Sequence, residues 1–324
     1  MPWTDDPRAF ADQAWHELVA RDPEATFFHS PRYLKLYWEE QGHGELRVAR
    51  LDDGDEPLAR AAFELEDGVL MFLGGTEVTD YMGPVAAPGR RERAAKELMA
   101  AIASRDDWRL ADLRGLPEDG AWLDALAEAA RACGMEVRIE DEGVAPQLDL
   151  PPSYDRYLAS LSSRHRHEIR RKARRLAEAL PSARVTVTHP DEAEPALDRF
   201  FELHRSSTGP KGKFMQPGME LFFRRLADEF LGDGTLRLVF LADGDERLAG
   251  VVTFRWGDTV LLYNSAYDRA RARLAPGMVL VADIIRDAIE SGCGRLDMLK
   301  GDLEYKYRFG ARPRRIPRLL LRRG

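Results

Sequence analysis

Residues 260–285 place an arginine-rich loop between a strand-like run and an apolar helix, an order suited to gripping phosphate. The run VLLYNSAYD (Val260–Asp268) leads into Arg269, Arg271 and Arg273, then Ala275-Pro276-Gly277, then the apolar stretch Met278–Ile285. The first turn of a helix carries N–H groups without intrahelical acceptors and a partial positive charge. Gly277 leaves that turn bare enough for a pyrophosphate to reach the backbone, and the guanidinium groups add charge-assisted bonds. The same residues also read as an exposed basic loop ahead of an ordinary helix start. Tyr263, Tyr267 and Tyr305 each offer a phenolic proton to a leaving group, or cap the core with an amphipathic ring. Asp297 stands in the apolar run Leu296–Leu299. A carboxylate there needs a partner: it is a base or acceptor anchor, or the ion-pair partner of an arginine such as Arg271.

Other candidates are weaker. Residues 206–213 (SSTGPKGK) lack the GxxxxGK[ST] order of a P-loop and read as an acceptor-side loop or a plain solvent loop. His165 and His167, two apart on a helix, face different ways and make no metal pair. No zinc spacing and no Ser/His/Asp elbow is present.

The elements that carry these residues occur twice. LRVARLDDGDEPLA at 46–59 and LRLVFLADGDERLA at 236–249 share nine of fourteen positions. Ala87-Pro88-Gly89 answers Ala275-Pro276-Gly277, and Arg109-Leu110 to Gly115 answers Arg295-Leu296 to Gly301. A repeat this long is a duplicated domain rather than a solenoid. The periodicity predicts opening helices in each half (5–21 and 30–40; 190–207 and 217–231). Three strands follow in the second copy (236–242, 247–256, 259–266), joined by Asp-Gly turns, then a helix (278–291) and a strand at 295–299. Tyr154–Leu180 reads as one helix, with Leu158, Leu161, Ile169, Leu176 and Leu180 on one stripe and arginines opposite. Pro151-Pro152 marks the boundary, giving domains 1–150 and 151–324.

Composition fits this division. A chain of 324 residues is long for one core. The formal net charge of -7 hides an asymmetry, since residues 1–150 hold 16 Lys and Arg against 32 Asp and Glu. The second half is correspondingly basic, so an anionic ligand is expected there. Cys133 and Cys293 read as small buried thiols. With no leader and no long apolar run, a cytoplasmic protein is expected.

Strand, loop and helix in this order resemble the acyl-CoA site of the GNAT acetyltransferase superfamily. The duplication resembles its tandem branch, the Fem-type peptidyltransferases and the cellulose or exopolysaccharide-biosynthesis-type acetyltransferases. The supporting residues are Asp80-Tyr81, Ser163-Arg164, Leu203-His204, Ala275-Pro276-Gly277, Leu296-Asp297 to Gly301, and Tyr305-Lys306. One departure is plain: the family phosphate loop [RQ]xxGx[GA], ended on Gly277, would begin at Ala272 and carry Ala275 at its fourth place.

The resemblance implies an α/β fold (α+β, mixed sheets) of two tandem GNAT-like domains, the first degenerate. It implies direct N-acyl transfer from acetyl-CoA or another acyl-CoA, without metal, to a small amine, amino sugar or amino acid in a cleft between the domains. Strand 260–266 would pair with the donor, with Asn264, Ser265, Arg271, Arg273, Gly277 and Met278 as its binding residues. Lys306, Tyr263 and Asp297 would be catalytic. Asp80, Tyr81, Arg164, His204, Tyr267 and Tyr305 would meet the acceptor. Two alternatives stand: an aminoacyl-tRNA donor, as in Fem-type enzymes, and a non-catalytic nucleic-acid-binding protein using the basic helix and the arginines of 308–323. Against the last, the helix lacks interleaved aromatics and the chain is acidic.

Overall fold

The computed structural model describes residues 2–207 and 210–323. The chain divides into two compact units, Met1–Ala145 with Arg314–Gly324, and Pro146–Pro313.

The first unit runs β1 (Trp3–Thr4), α1 (Gln13–Arg21), α2 (Pro31–Gln41), β2 (Glu45–Asp53), β3 (Glu56–Glu66), β4 (Val69–Phe72), β5 (Val85–Ala86), α3 (Arg91–Ala103), β6 (Leu110–Leu113), α4 (Ala121–Ala132) and β7 (Glu136–Val144). The second unit runs β8 (Gln147–Asp149), α5 (Tyr154–Ser160), α6 (Ser163–Ala179), β9 (Ala183–Val187), α7 (Ala193–Arg205), α8 (Pro210–Phe214), α9 (Pro217–Phe230), β10 (Leu236–Asp243), β11 (Glu246–Trp256), β12 (Thr259–Tyr267), α10 (Pro276–Glu290), β13 (Arg295–Asp297) and α11 (Glu304–Arg308). The last strand, β14 (Arg315–Arg322), returns to the first unit.

Each unit is built on a mixed sheet. The first has the order β1-β2-β3-β4-β6-β14-β7, with β5 also on β3; the second has the order β8-β13-β12-β11-β10-β9. Consecutive antiparallel strands are followed by a parallel pair, β4 with β6 and β12 with β13, because a crossover helix separates them. That helix, α3 or α10, buries its apolar stripe on the sheet.

The structure corrects four details of the sequence reading. Residues 314–324 belong to the first unit, because β14 pairs with β6 and β7; the Pro-Pro pair lies six residues beyond Ala145, where the first stretch ends. The charge asymmetry shrinks accordingly, to 21 Lys and Arg against 31 Asp and Glu in the first unit and 27 against 24 in the second. The basic helix is two helices, since the Ser162 hydroxyl accepts from His165 N–H at 3.2 Å and starts a new one. Its stripe holds: Leu158, Leu161, Ile169 and Leu176 are buried. Cys133, at the end of α4, is exposed, whereas Cys293 is buried. Of the loop 206–213, Thr208 and Gly209 lie outside the described residues.

Candidate active site

The site of interest is where β12 and β13 part company. β13 pairs with β12 only from Thr259 to Leu261, whereas β12 continues to Tyr267 with β11 as its partner. The two strands therefore diverge after Leu261. A β-bulge lies just beyond: Thr253 is opposite Leu262 and Val252 is opposite Asn264, so Tyr263 is the residue inserted. An inserted residue breaks the alternation of faces. Tyr263 stacks on Phe223 of α9 with centroids 5.6 Å apart, and Asn264 Oδ1 lies 3.1 Å from His204 Nε2 on α7, the same side. Ser265 turns to the opposite face and hydrogen-bonds Tyr305.

At the far end of β12 the first turn of α10 begins. Ala275 caps it in the left-handed region (φ 52°), a conformation that costs an alanine about 1 kcal/mol. Its carbonyl accepts from Met278 and Val279 N–H, both at 3.1 Å. Pro276 has no N–H, so Gly277 supplies the first-turn donor that this carbonyl does not take. A Cβ at Gly277 would meet only the Tyr267 ring, at 3.4 Å, an ordinary contact. Packing within the protein therefore does not require glycine there, and the bare backbone is left for something else to approach.

Cations gather round this turn. Lys172 Nζ on α6 lies 2.7 Å from Met278 Sδ and 2.8 Å from Glu168. Arg175 donates to the Arg273 carbonyl at 3.2 Å, and Arg271 is tied to Glu246 at 3.0 Å. Arg271 thus stiffens the loop instead of pairing with Asp297. Lys172 and Arg175 read in the sequence only as part of the basic face of the 154–180 helix; the packing of α6 on α10 brings them here.

The opposite wall is the segment after β13. Asp297, 2 % exposed, accepts from Leu299 N–H at 2.8 Å and from Gln147 Nε2 at 2.7 Å. Lys306, 3 % exposed, donates to the carbonyls of Leu299 and Lys300 at 2.7 and 2.9 Å. A buried acid and a buried ammonium so hold one turn by its N–H and C=O groups, with Leu299 in the left-handed region (φ 56°). The motif from Asp297 to Lys306 is therefore a built corner. Burial keeps the Tyr305 phenol above the ordinary tyrosine range, with the Ser265 bond opposing, so the phenol is neutral at physiological pH.

Among the predicted residues, Tyr263, Asn264, Ser265, Tyr267, Gly277, Met278, His204 and Tyr305 meet along β12 and its flanks. Asp297 and Lys306 form the corner. Arg164 is exposed near the start of α6. Asp80 and Tyr81 lie in the first unit, where Tyr81 is buried with its ring 5.6 Å from the Arg314 guanidinium.

The first unit treats the same place differently. Strand register equates Phe72 with Leu262 and Val85 with Ala266. Between them the second unit has residues 263–265, and the first has 73–84. That excursion fills the divergence: Met82 N–H donates to Gly115 O at 3.1 Å just past β6. Gly115 (φ 77°) must be glycine, as a Cβ would stand 2.5 Å from Met82 N. The same register equates Asp112 with Asp297, one place from the match the sequences suggest. Asp112 meets Arg114 at 2.6 Å.

Comparison with known proteins agrees with this geometry. Residues 163–307 match the acetyltransferase (GNAT) domain family. A conserved Bacteroides thetaiotaomicron VPI-5482 protein of unknown function has a similar structure, with TM-score 0.67 and 13 % identity over 100 % of both chains. FemX is similar at TM-score 0.63 and 12 % identity, over 98 % of this chain and 97 % of that one. A tandem GNAT protein from the clavulanic acid biosynthesis pathway is similar at TM-score 0.50 and 13 % identity, over 98 % and 95 %. No curated protein sequence matches significantly. Among the described residues no group of three or more His, Cys, Asp or Glu is placed to hold a metal, and no helix is long and apolar enough to cross a membrane. The match to the acetyltransferase (GNAT) family covers 163–307 and so assigns an acyltransferase-type domain to the second unit, and the two units together have the fold of tandem-GNAT proteins.

Proposed function

We propose that the second unit binds an acyl-CoA along β12 and transfers its acyl group directly to an amine. The observation that carries this reading is the divergence of β12 from β13 beside a glycine-bearing helix start. A pantetheine arm extends like a strand and has amide groups to exchange with the Leu262–Tyr267 edge. Its pyrophosphate then falls at the first turn of α10, within reach of Gly277 N–H and of Lys172, Arg175 and Arg273. Met278 and Tyr267 flank the path.

The acyl carbon would lie near the bulge, between the His204–Asn264 pair and the Ser265–Tyr305 pair. Attack by a neutral amine forms the amide bond and expels thiolate, which needs a proton. Tyr305 is placed to supply it through the Ser265 side. Tyr263, stacked on Phe223 and 5.0 Å from Phe254, supports the bulge in preference to donating. Asp297 and Lys306 act by fixing the corner rather than by touching the reacting atoms. The first unit contributes no donor site in this reading, because its own chain occupies the equivalent space.

An aminoacyl-tRNA donor is the second reading. Exposed Arg164, Arg170, Arg171 and Arg174 on α6 favour it, as does the fold likeness to FemX. The tail arginines do not: Arg314, Arg315 and Arg318 pair with Asp119, Asp141 and Glu140 at 2.6–2.8 Å. Calorimetry of the full chain with acetyl-CoA and longer acyl-CoAs, followed by an amine screen, tests the first reading. Saturable binding of one acyl-CoA per chain is expected. Failure of every acyl-CoA to bind, with charged tRNA binding that falls steeply with salt, would establish the second.

A further inference from the structure

The second unit has a groove that its twin fills. It lies on the α10 face of the sheet, over β9, β10 and β11 and beside the last turns of α10, and encloses about 650 Å³. That is a common size for a small-molecule site. Val260, at the start of β12, lines it, so it sits at the opposite end of that strand from Gly277.

Strand register allows a residue-by-residue comparison. Trp3 pairs with Ala49 on the edge of the first sheet, and Val187 pairs with Val239 at the equivalent place in the second. Phe63 pairs with Arg47, and Thr253 with Arg237, again equivalent. In the first unit the Trp3 and Phe63 rings pack with centroids 5.7 Å apart, and Trp3 Nε1 donates to Ala101 O near the end of α3 at 3.3 Å. The second unit has an isopropyl and a hydroxyethyl group where the first has an indole and a phenyl. Val187 is left 49 % exposed and Val185 39 %.

The charge round the groove is also informative. Arg237 is held by Asp287 at 2.7 Å and Arg286 by Asp283 at 2.9 Å. Two charges lining the groove, Glu290 and Arg255, have no ion-pair partner among the described residues; Arg255 is turned away to Gly257 O at 2.9 Å and Cys293 Sγ at 2.6 Å. The last carbonyls of α10 are capped by the chain beyond it, Asp287, Ala288 and Ile289 O accepting from Ser291, Cys293 and Gly292 N–H at 2.8, 2.9 and 3.0 Å, so what this end offers a cation is Glu290 and the negative end of the helix dipole.

We propose that this groove is a binding site for a small aromatic amine, a flat ring system of about indole size carrying an ammonium group. The ring lies against Val187, Val239 and Thr253, where the twin keeps its indole. The ammonium is directed at Glu290, beside the negative end of the α10 dipole. The site is separate from acyl transfer and its test reads binding, so its failure leaves the acyltransferase reading untouched.

Tryptamine and indole are the probes, titrated into the full chain by calorimetry, with acetyl-CoA titrated in parallel as a control. Saturable tryptamine binding, one per chain, is expected. Val187→Trp combined with Thr253→Phe should fill the groove and weaken tryptamine at least about tenfold with acetyl-CoA affinity unchanged. Glu290→Gln, which keeps the fold in any case, should weaken tryptamine several-fold, roughly the loss of one partly exposed ion pair, and leave indole unaffected. Three results overturn the proposal: no saturable binding, equal loss of tryptamine and indole affinity in Glu290→Gln, or tryptamine binding that survives the filled groove. A concentration-dependent dimer dissolved by filling the groove also overturns it, assigning the face to a second copy.

Discussion

Three residues in one unit do the work of twelve in the other. From Leu262 to Ala266 the second unit passes through a single bulge, and β12 stays a continuous strand beside a gap. From Phe72 to Val85 the first unit makes an excursion that packs Tyr81 into its core and ties Met82 to Gly115. Two copies of one fold so differ at the place where the fold can hold a ligand. The groove beneath the crossover helix shows the same contrast, with Trp3 and Phe63 present on one side and absent on the other. In both places the first unit has used its own chain to fill what the second leaves accessible.

The largest expected effect is at the helix starts. Gly277→Glu puts a carboxylate at the proposed phosphate position and should weaken acetyl-CoA at least about 100-fold, near 3 kcal/mol, with the melting temperature little changed. Gly89→Asp, an acid that tolerates the positive φ of 74° there, should leave donor affinity alone. Calorimetry on the pair checks both, and equal losses would erase the distinction between the units.

Next are two buried titratable groups, one in each unit. Lys306→Met strands the Leu299 and Lys300 carbonyls and should cost the second unit about 3 kcal/mol in denaturant unfolding. Donor affinity should fall less than turnover. In the first unit, burial pushes the His29 imidazole down to about 4, against the opposing pull of Asp22, and its Nδ1 accepts from Thr26 N–H at 3.0 Å. A histidine with a depressed folded pKa binds its proton more readily when unfolded. Its stabilisation is therefore present above about pH 6.5 and is lost as pH falls towards 4, by roughly 3 kcal/mol. Thermal melts at pH 7.5 and 5 should show the first unit weakening, and His29→Gln should flatten that dependence.

A smaller effect sharpens the chemistry. Tyr305→Phe should lower kcat about 10- to 100-fold, at and below the lower end of what a positioned acid contributes, with donor affinity within about twofold. Unchanged kcat would move proton donation elsewhere.

Much of this was readable in the chain. The DGDE turns and the Ala-Pro-Gly repeats announced the duplication, because hairpins and helix starts demand particular residues locally. Gly277 was legible for the same reason. The partner of Asp297 was not: it is Gln147, 150 positions away, brought close by the pairing of β8 with β13. Nor was the bulge, whose signature is a one-residue change of facing between Tyr263 and Asn264 that no local pattern marks. β14 was hidden altogether, because its arginines read as a basic tail and the partners that make it a strand, β6 and β7, are some 170 to 210 positions away. Single residues decide local conformation; which edge a strand joins is decided by packing across the whole unit.

The most direct test is amide hydrogen exchange on the full chain with and without acetyl-CoA. The account predicts new protection along 262–267 and 275–280, and none along 69–92. Protection in the first unit, or none in either, would contradict it.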